Sequence, residues 1–374
     1  MVEKKDIFKI HLQYPWKSPD SSYYKNILDY PPKKIEFINY KKSSGKKFEV
    51  IGSSKKFEQM RKFKNSLRKI LNFLRLPNLT YSFKTNYDLI HCAHSLSLNK
   101  KPWVVDTETY SRVTAGGTIA DSKIGRWIIK NRLESEYCKK IIAWSEDCKK
   151  TFIDAFPNNK KILNKITIVP FAFKTPKFKK IKHKKINILF VARWFDAKGG
   201  RQTLEVFNRL SKRYPNVEFI FICPTPKILK EKYKKNKSIK IMELMPQKKI
   251  FNEFYTRADI FFYPGFGDSY GFAVPEALGF GLPIISTKTF AKIELIHDGK
   301  TGFLVDMPNN WNGYKDMNEK LLQDLFNKTS ILIEDKKLRK SMSHEAMKVS
   351  KKNGLHNIKD RNKKLIKIYE DALK

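Results

Sequence analysis

Cysteine is scarce: Cys92, Cys138, Cys148 and Cys223 are scattered, and no two form a Cys-x-x-Cys pair. Such spacing supports neither a disulfide framework nor a zinc site, and leaves the thiols as small core residues. No stretch of about 18 consecutive apolar residues occurs, so no membrane-spanning helix is expected. The opening Met1-Val-Glu-Lys-Lys-Asp runs straight into the short apolar segment Ile7–Leu12, which Lys9 and His11 interrupt. A secretory signal needs a longer apolar core and a small-residue cleavage site, so a cytoplasmic location is expected. Acidic residues are few, 37 against 76 Lys and Arg, for a formal charge of +39. That surface attracts polyanions, or it reflects lysine standing in for other surface residues throughout. A nucleic-acid reader would show a clustered basic face and a reading module. The lysines are dispersed instead, with no zinc finger, RNP-like motif or basic zipper, so no nucleic-acid partner is expected.

What is present is apolar patterning for two cores: 41% hydrophobic and 13% aromatic residues in 374, a length that suits two domains. Short apolar runs alternate with helix-like stretches, the pattern of βα units and parallel sheets. The strand candidates in the first half are 7–12, 35–38, 89–93, 103–105, 140–144 and 166–169. In the second half they are 186–191, 217–222, 239–243, 260–263 and 283–286. Continuous runs such as Ile186-Asn-Ile-Leu-Phe-Val191 suit strands buried on both faces. The expected fold is α/β with two Rossmann-like domains, at 1–175 and 186–350. A Lys-rich segment at 176–185 reads as a linker. Residues 351–374 read as a helix, with Ile358, Leu365, Ile368, Tyr369 and Leu373 near one face.

Two segments carry the chemistry. In the first, the strand 188–191 runs into a loop with Arg193, Lys198 and Gly199, and a helix is expected from about Gly200. Two cations on a loop beyond a parallel strand can converge on one anion, helped by N–H groups at the helix start; alternatively they are solvated. In the second, the strand ending at Tyr263 leads into Pro264-Gly-Phe-Gly-Asp268-Ser-Tyr-Gly-Phe272 and then a helix bearing Glu276. Glycines there admit close backbone approach, and a helix start near Ser269–Gly271 offers N–H donors to a diphosphate. Glu276, about two turns into a helix that starts near Asp268, is placed to accept hydrogen bonds from a ribose diol; the bland alternative is a glycine-rich turn with a solvated acid.

Taken in order, Arg193, Lys198-Gly199, Asp268-x7-Glu276-Ala277 and Gly281-Leu-Pro283, followed by 293–305, resemble the donor domain of GT-B glycosyltransferases of the family 4, or group 1, type. The resemblance spans roughly residues 186–306. It implies two Rossmann-like domains facing each other across a cleft, with the C-terminal helix packing back on the first. It implies a transferase that moves a sugar from a nucleotide-sugar donor to a glycan, lipid-linked or other hydroxyl acceptor, with retention of configuration. Arg193 and Lys198 would neutralise the leaving diphosphate, and Glu276 would hold the ribose. Ser269, Tyr270, Gly271 and Phe272 would offer backbone donors. Asp268 stands where the family has Glu, one methylene shorter, which implies a shifted sugar preference or lost activity. No acidic pair suited to a metal is evident and the fixed cations make one unnecessary, so no metal and no cofactor beyond the nucleotide-sugar substrate is expected. A degenerate sugar-nucleotide-binding protein, or a same-fold epimerase or phosphorylase, are the other readings.

The first half carries fewer signals. The loop Tyr14–Tyr24 lacks the glycine pair common in the family. The segment Asp88–Ser95, with His91 and His94, resembles the family's strand and His-rich turn. Where relatives carry a His near the donor sugar this chain has acids, so His94, Asp106 and Glu108 are the acceptor-side candidates; a core role is the alternative for each. Ser145 reads as a helix N-cap. Between Lys55 and Leu76, apolar residues at three-to-four spacing are flanked by Arg61, Lys62, Lys64, Arg68, Lys69 and Arg75. Such a helix either packs on the sheet or lies on anionic lipid, giving a peripheral membrane site on the cytosolic face.

Overall fold

The computed structural model describes residues 7–13, 22–38, 40–42, 48–50, 73, 76–114, 122–349, 351 and 354–374. The chain divides into two compact units, one of Met1–Phe171 with Ile358–Lys374, the other of Ala172–Asn357.

The first unit holds a six-stranded parallel sheet of β1 (Phe8–Gln13), β2 (Ile35–Phe37), β3 (Leu89–Ala93), β4 (Trp103–Thr107), β5 (Cys138–Ala143) and β6 (Ile166–Ile168), in the order 2-1-3-4-5-6. All five residues of β3 and of β4 are buried, including the polar His91, Asp106 and Thr107 that interrupt their apolar sequences. Ser145 caps the helix Glu146–Ala155, accepting from Cys148 N at 3.0 Å. The loop expected over Tyr14–Tyr24 gives way at Ser22 to a helix, Ser22–Asp29, that buries Tyr23 and Tyr24; residues 14–21 lie outside the described ones. The basic stretch 55–76 also lies outside them, apart from Phe73 and Leu76. Among the described residues no helix is long and apolar enough to cross a membrane.

The C-terminal helix Ile358–Ala372 belongs to this first unit. It buries Leu365, Ile368, Tyr369 and Ala372 together with Arg361. Arg361 donates to the Tyr30 carbonyl at 2.8 Å, and Tyr369 OH lies 2.7 Å from His91 Nδ1.

The second unit is built on β7 (Ile186–Val191), β8 (Val217–Ile222), β9 (Ile239–Met242), β10 (Ile260–Tyr263), β11 (Ile284–Thr287) and β12 (Gly302–Val305), all parallel, in the order 9-8-7-10-11-12. Its core is aromatic: Phe190 stacks on Phe221 at 4.6 Å, and Phe207, from the helix Gly200–Arg213, packs on Phe219 and Phe262. That helix also buries Leu204 and Leu210 completely, and each such side chain contributes about 1.5–3 kcal/mol. The segment 176–185, expected as a linker, is instead packed on this unit. Phe178 lies against Phe280, Lys180 Nζ donates to Ala258 O at 2.7 Å, and Ile181 N to Thr256 O at 3.0 Å. Lysine stems and one phenylalanine suffice to hold an extended segment with no periodic apolar pattern.

Strand β12 was not among the strand candidates, because it opens on a glycine. The structure supplies the reason for that glycine. A Cβ on Gly302 would lie 2.1 Å from the Ile284 carbonyl oxygen of the paired strand. Gly302→Ala is therefore expected to lower stability by about 1–3 kcal/mol, read as a melting transition displaced downward by roughly 3–10 °C. Melting at the wild-type temperature would show that the β11–β12 pairing yields easily.

Candidate functional site

Strand order in the second unit reverses between β7 and its neighbour β10. In open parallel sheets ligands bind beyond the carboxyl ends of the strands at such a switch point. The loops leaving these two strands are the Arg193–Gly199 and Pro264–Phe272 segments, so topology alone brings the two sequence motifs together. Backbone hydrogen bonds lock them to each other: Gly265 N donates to Lys198 O at 3.2 Å and Gly267 N to Ala197 O at 2.8 Å. Gly199 takes φ +80°, and a Cβ there would meet Pro264 Cβ at 2.7 Å. The glycine that follows the lysine thus permits the close approach. From the other side, Ser286 Oγ donates to Tyr263 O at 2.6 Å and Thr287 Oγ1 to Pro264 O at 2.7 Å.

Lys198 and Asp268 meet here. Lys198 Nζ lies 2.6 Å from Asp268 Oδ1 and donates to Gly267 O at 3.2 Å. Tyr263 OH donates to the other carboxylate oxygen at 2.5 Å. Burial alone would raise the Asp268 carboxyl, but Lys198, Lys292 and the hydrogen bonds from Lys198 and Tyr263 outweigh it and hold the group below the ordinary carboxylate range. The shorter acid fits closely: Gly271, at φ +81°, passes so near that a Cβ would lie 3.2 Å from Asp268 Oδ2. Arg193 is exposed and makes no ion pair among the described residues.

Glu276 departs from its expected setting. The helix starts at Ala273, not near Asp268, so the acid sits in its first turn; Pro275 suits that first turn, where no i−4 bond is lost. Ser269–Gly271 therefore form a turn ahead of the helix, not its first residues. Glu276 is buried and its Oε1 accepts from Gln247 Nε2 at 2.7 Å. Tyr270, expected as a donor-binding residue, is wholly buried, backbone included; among the described residues no hydrogen bond takes the amides of Ser269 or Gly271. Gly199 N and Gly200 N, expected as free donors, are used inside the loop by Asp196 O and Phe195 O, at 3.0 and 2.8 Å.

Sequence reasoning missed three contributors: Gln247, Tyr263 and Lys292. Lys292 is fully buried, and its Nζ donates to Gly265 O at 2.5 Å and Thr289 Oγ1 at 2.6 Å. Among 76 Lys and Arg, no pattern marks one lysine as interior.

In the first unit the order 2-1-3-4-5-6 has its switch point between β1 and β3, and His94 follows β3 directly. It sits at φ +51°, a strained backbone for a residue with a side chain. Its amide donates to Asp106 O at 3.0 Å, its Nδ1 is 3.2 Å from Thr107 Oγ1, and its ring is 5.0 Å from that of Trp144. Glu108 is engaged by Arg112 Nε at 2.5 Å, one turn on. Asp106, expected on the acceptor side, is corrected to an interior residue. It has no exposure, receives a hydrogen bond from Tyr24 OH, and lies 3.2 Å from His91 Nε2.

The comparisons with known proteins agree with this geometry. Residues 172–349, most of the second unit, match the model of the family described as glycosyl transferases group 1. Two curated relatives are an uncharacterized glycosyltransferase of Haemophilus influenzae, 24% identical over 59% of each chain, and a probable sucrose-phosphate synthase of Thermosipho melanesiensis, 26% identical over 68% of this chain and 61% of its own. The chain thus spans about three fifths of the length of the curated relatives it matches. Among solved structures, Anabaena Alr3699/HepE in complex with UDP and glucose aligns with TM-score 0.61 at 14% identity, over 97% of this chain and 99% of that one. The fold is therefore the two-Rossmann-domain GT-B fold.

Proposed function

We propose that the protein is a glycosyltransferase that moves a sugar from a nucleotide-sugar donor held by its second unit to a hydroxyl acceptor, with retention of configuration. The observation that carries the reading is the convergence of Lys198, Asp268 and the glycine-rich turn at the switch point of the second sheet. As the glycosidic bond breaks, positive charge develops on the sugar and negative charge on the diphosphate. Lys198 and the exposed Arg193 stabilise the second of these electrostatically. The amides of Ser269 and Gly271 add donors, and Glu276, held by Gln247, accepts from the ribose hydroxyls. The Anabaena structure is a complex with UDP and glucose; a UDP-sugar is accordingly the donor proposed first. Lys198 and Arg193 supply the charge that a divalent ion supplies elsewhere. The acceptor is a glycan or a lipid-linked hydroxyl, with His94 of the first unit as a candidate contact; a cytoplasmic location, with 55–76 on an anionic membrane surface, fits the lipid-linked case.

Calorimetry with UDP, GDP and their sugar conjugates tests the site. Glu276→Ala and Arg193→Ala are each expected to weaken binding of the preferred nucleotide by about 10- to 100-fold, the range for losing hydrogen bonds to charged groups. Unchanged affinity in both variants would place the donor elsewhere.

A further inference from the structure

Lys292 has no part in the roles assigned above, yet it lies inside the proposed donor site. It opens the short helix Lys292–Leu295, has no exposure, and fixes Gly265 O and Thr289 Oγ1 at 2.5 and 2.6 Å. The charges acting on it are Asp268 and Lys198, and these two are paired with each other at 2.6 Å. The site therefore holds two ammonium groups and one carboxylate in a buried cluster. In the structure Lys198 neutralises Asp268. To reach a diphosphate it must leave that carboxylate, and Asp268 would then face the incoming anion with only the Tyr263 hydroxyl and Lys292 beside it.

We propose that Lys292 is a positioning residue for donor binding: as an ammonium it holds the Gly265 carbonyl and balances Asp268, so that Lys198 is released to the diphosphate. The inference rests on the donor-site reading above. It carries a consequence for protons. Burial pulls the Lys292 ammonium down to about 7, with Asp268 opposing that fall and Lys198 adding to it. Moving Lys198 away and bringing in an anion both favour the protonated form. The donor therefore binds with proton uptake above neutral pH; affinity is fully developed below about pH 7 and falls as pH rises.

The probe is UDP-glucose, whose doubly esterified diphosphate does not itself titrate in this range. Calorimetry at about pH 6 and pH 8.5, in buffers of different ionisation enthalpy, reads affinity and proton uptake together. Wild type is expected to bind about tenfold more weakly at the higher pH, with a fraction of a proton taken up per donor. Lys292→Met is expected to bind weakly at both, without uptake. Lys292→Gln, which keeps a donor for Gly265 O but no charge, covers the case in which the Met variant fails to fold, and is expected to lose uptake in the same way. A Lys292→Gln protein with wild-type affinity and wild-type uptake overturns the proposal and leaves the donor site standing. If wild type binds no UDP-glucose, UDP or GDP at either pH, the donor-site reading fails and takes this inference with it.

Discussion

Replacing Lys198 by alanine is expected to reduce turnover by about 10²–10³-fold, the loss seen when one preorganised electrostatic contact to developing charge is removed. The protein should remain folded. Asp268, the partner left behind, keeps the Tyr263 hydroxyl at 2.5 Å and the charge of Lys292, so no bare buried carboxylate results. The loop keeps its shape as well, because Gly265 N bonds the Lys198 carbonyl and not its side chain. Donor hydrolysis or transfer, measured beside a thermal melt, separates the two effects. Affinity for the intact donor should change less than turnover, since charge on the diphosphate grows toward the transition state. A Lys198→Ala enzyme with near wild-type turnover would remove Lys198 from the chemistry.

The second large effect concerns stability. Asp106→Ala is expected to destabilise the first unit by about 1–3 kcal/mol, the penalty for leaving a buried hydroxyl without its acceptor. The side chains of His91 and Asp106 have no exposure, and Tyr24 OH donates to the same carboxylate. Removing it takes the acceptor away from the buried Tyr24 hydroxyl. The melting temperature should fall by roughly 3–10 °C, while turnover measured well below the transition stays within a few-fold of wild type. Glu108→Gln, losing only a partly exposed pair with Arg112 one turn away, should shift stability by less than about 1 kcal/mol. Equal stability of Asp106→Ala and wild type, with abolished turnover, would return Asp106 to the acceptor site.

These cases show what the sequence made legible. Ile186–Val191 and Leu89–Ala93 declared themselves as strands because burial on both faces favours short, mostly apolar runs, interrupted here only by Asn187 and His91. Gly302–Val305 did not, since its first residue is dictated by a neighbouring carbonyl and not by hydrophobicity. Arg193, Lys198, Asp268 and Glu276 could be singled out as candidates because each lies on a loop or first helical turn beyond a strand, where spacing and residue type can be read together. Asp106 was misplaced for a related reason. An acid near the end of a strand looks the same whether it points to solvent or into a network of tyrosine and histidine supplied from residues 24, 91 and 369. The start of the Glu276 helix was set too early because glycines and Ser269 look like a helix entry, whereas Pro275 fixes the first turn later. The role of Lys292 depends wholly on burial, which no local pattern encodes.

The placement of the helix Ile358–Ala372 in the first unit has a consequence for biosynthesis. The second unit is one uninterrupted stretch of chain, 172–357, whereas the first is split around it. A ribosome moving from the N-terminus can release a complete second unit while the first still lacks Leu365, Ile368, Tyr369 and Ala372 from its interior. The order of maturation is then the reverse of the order of translation, against the usual N-terminal-first course. Until the final segment emerges, the β1–β6 sheet has an uncovered apolar face and His91 lacks its Tyr369 partner, and chaperone capture of nascent chains should be concentrated in that interval.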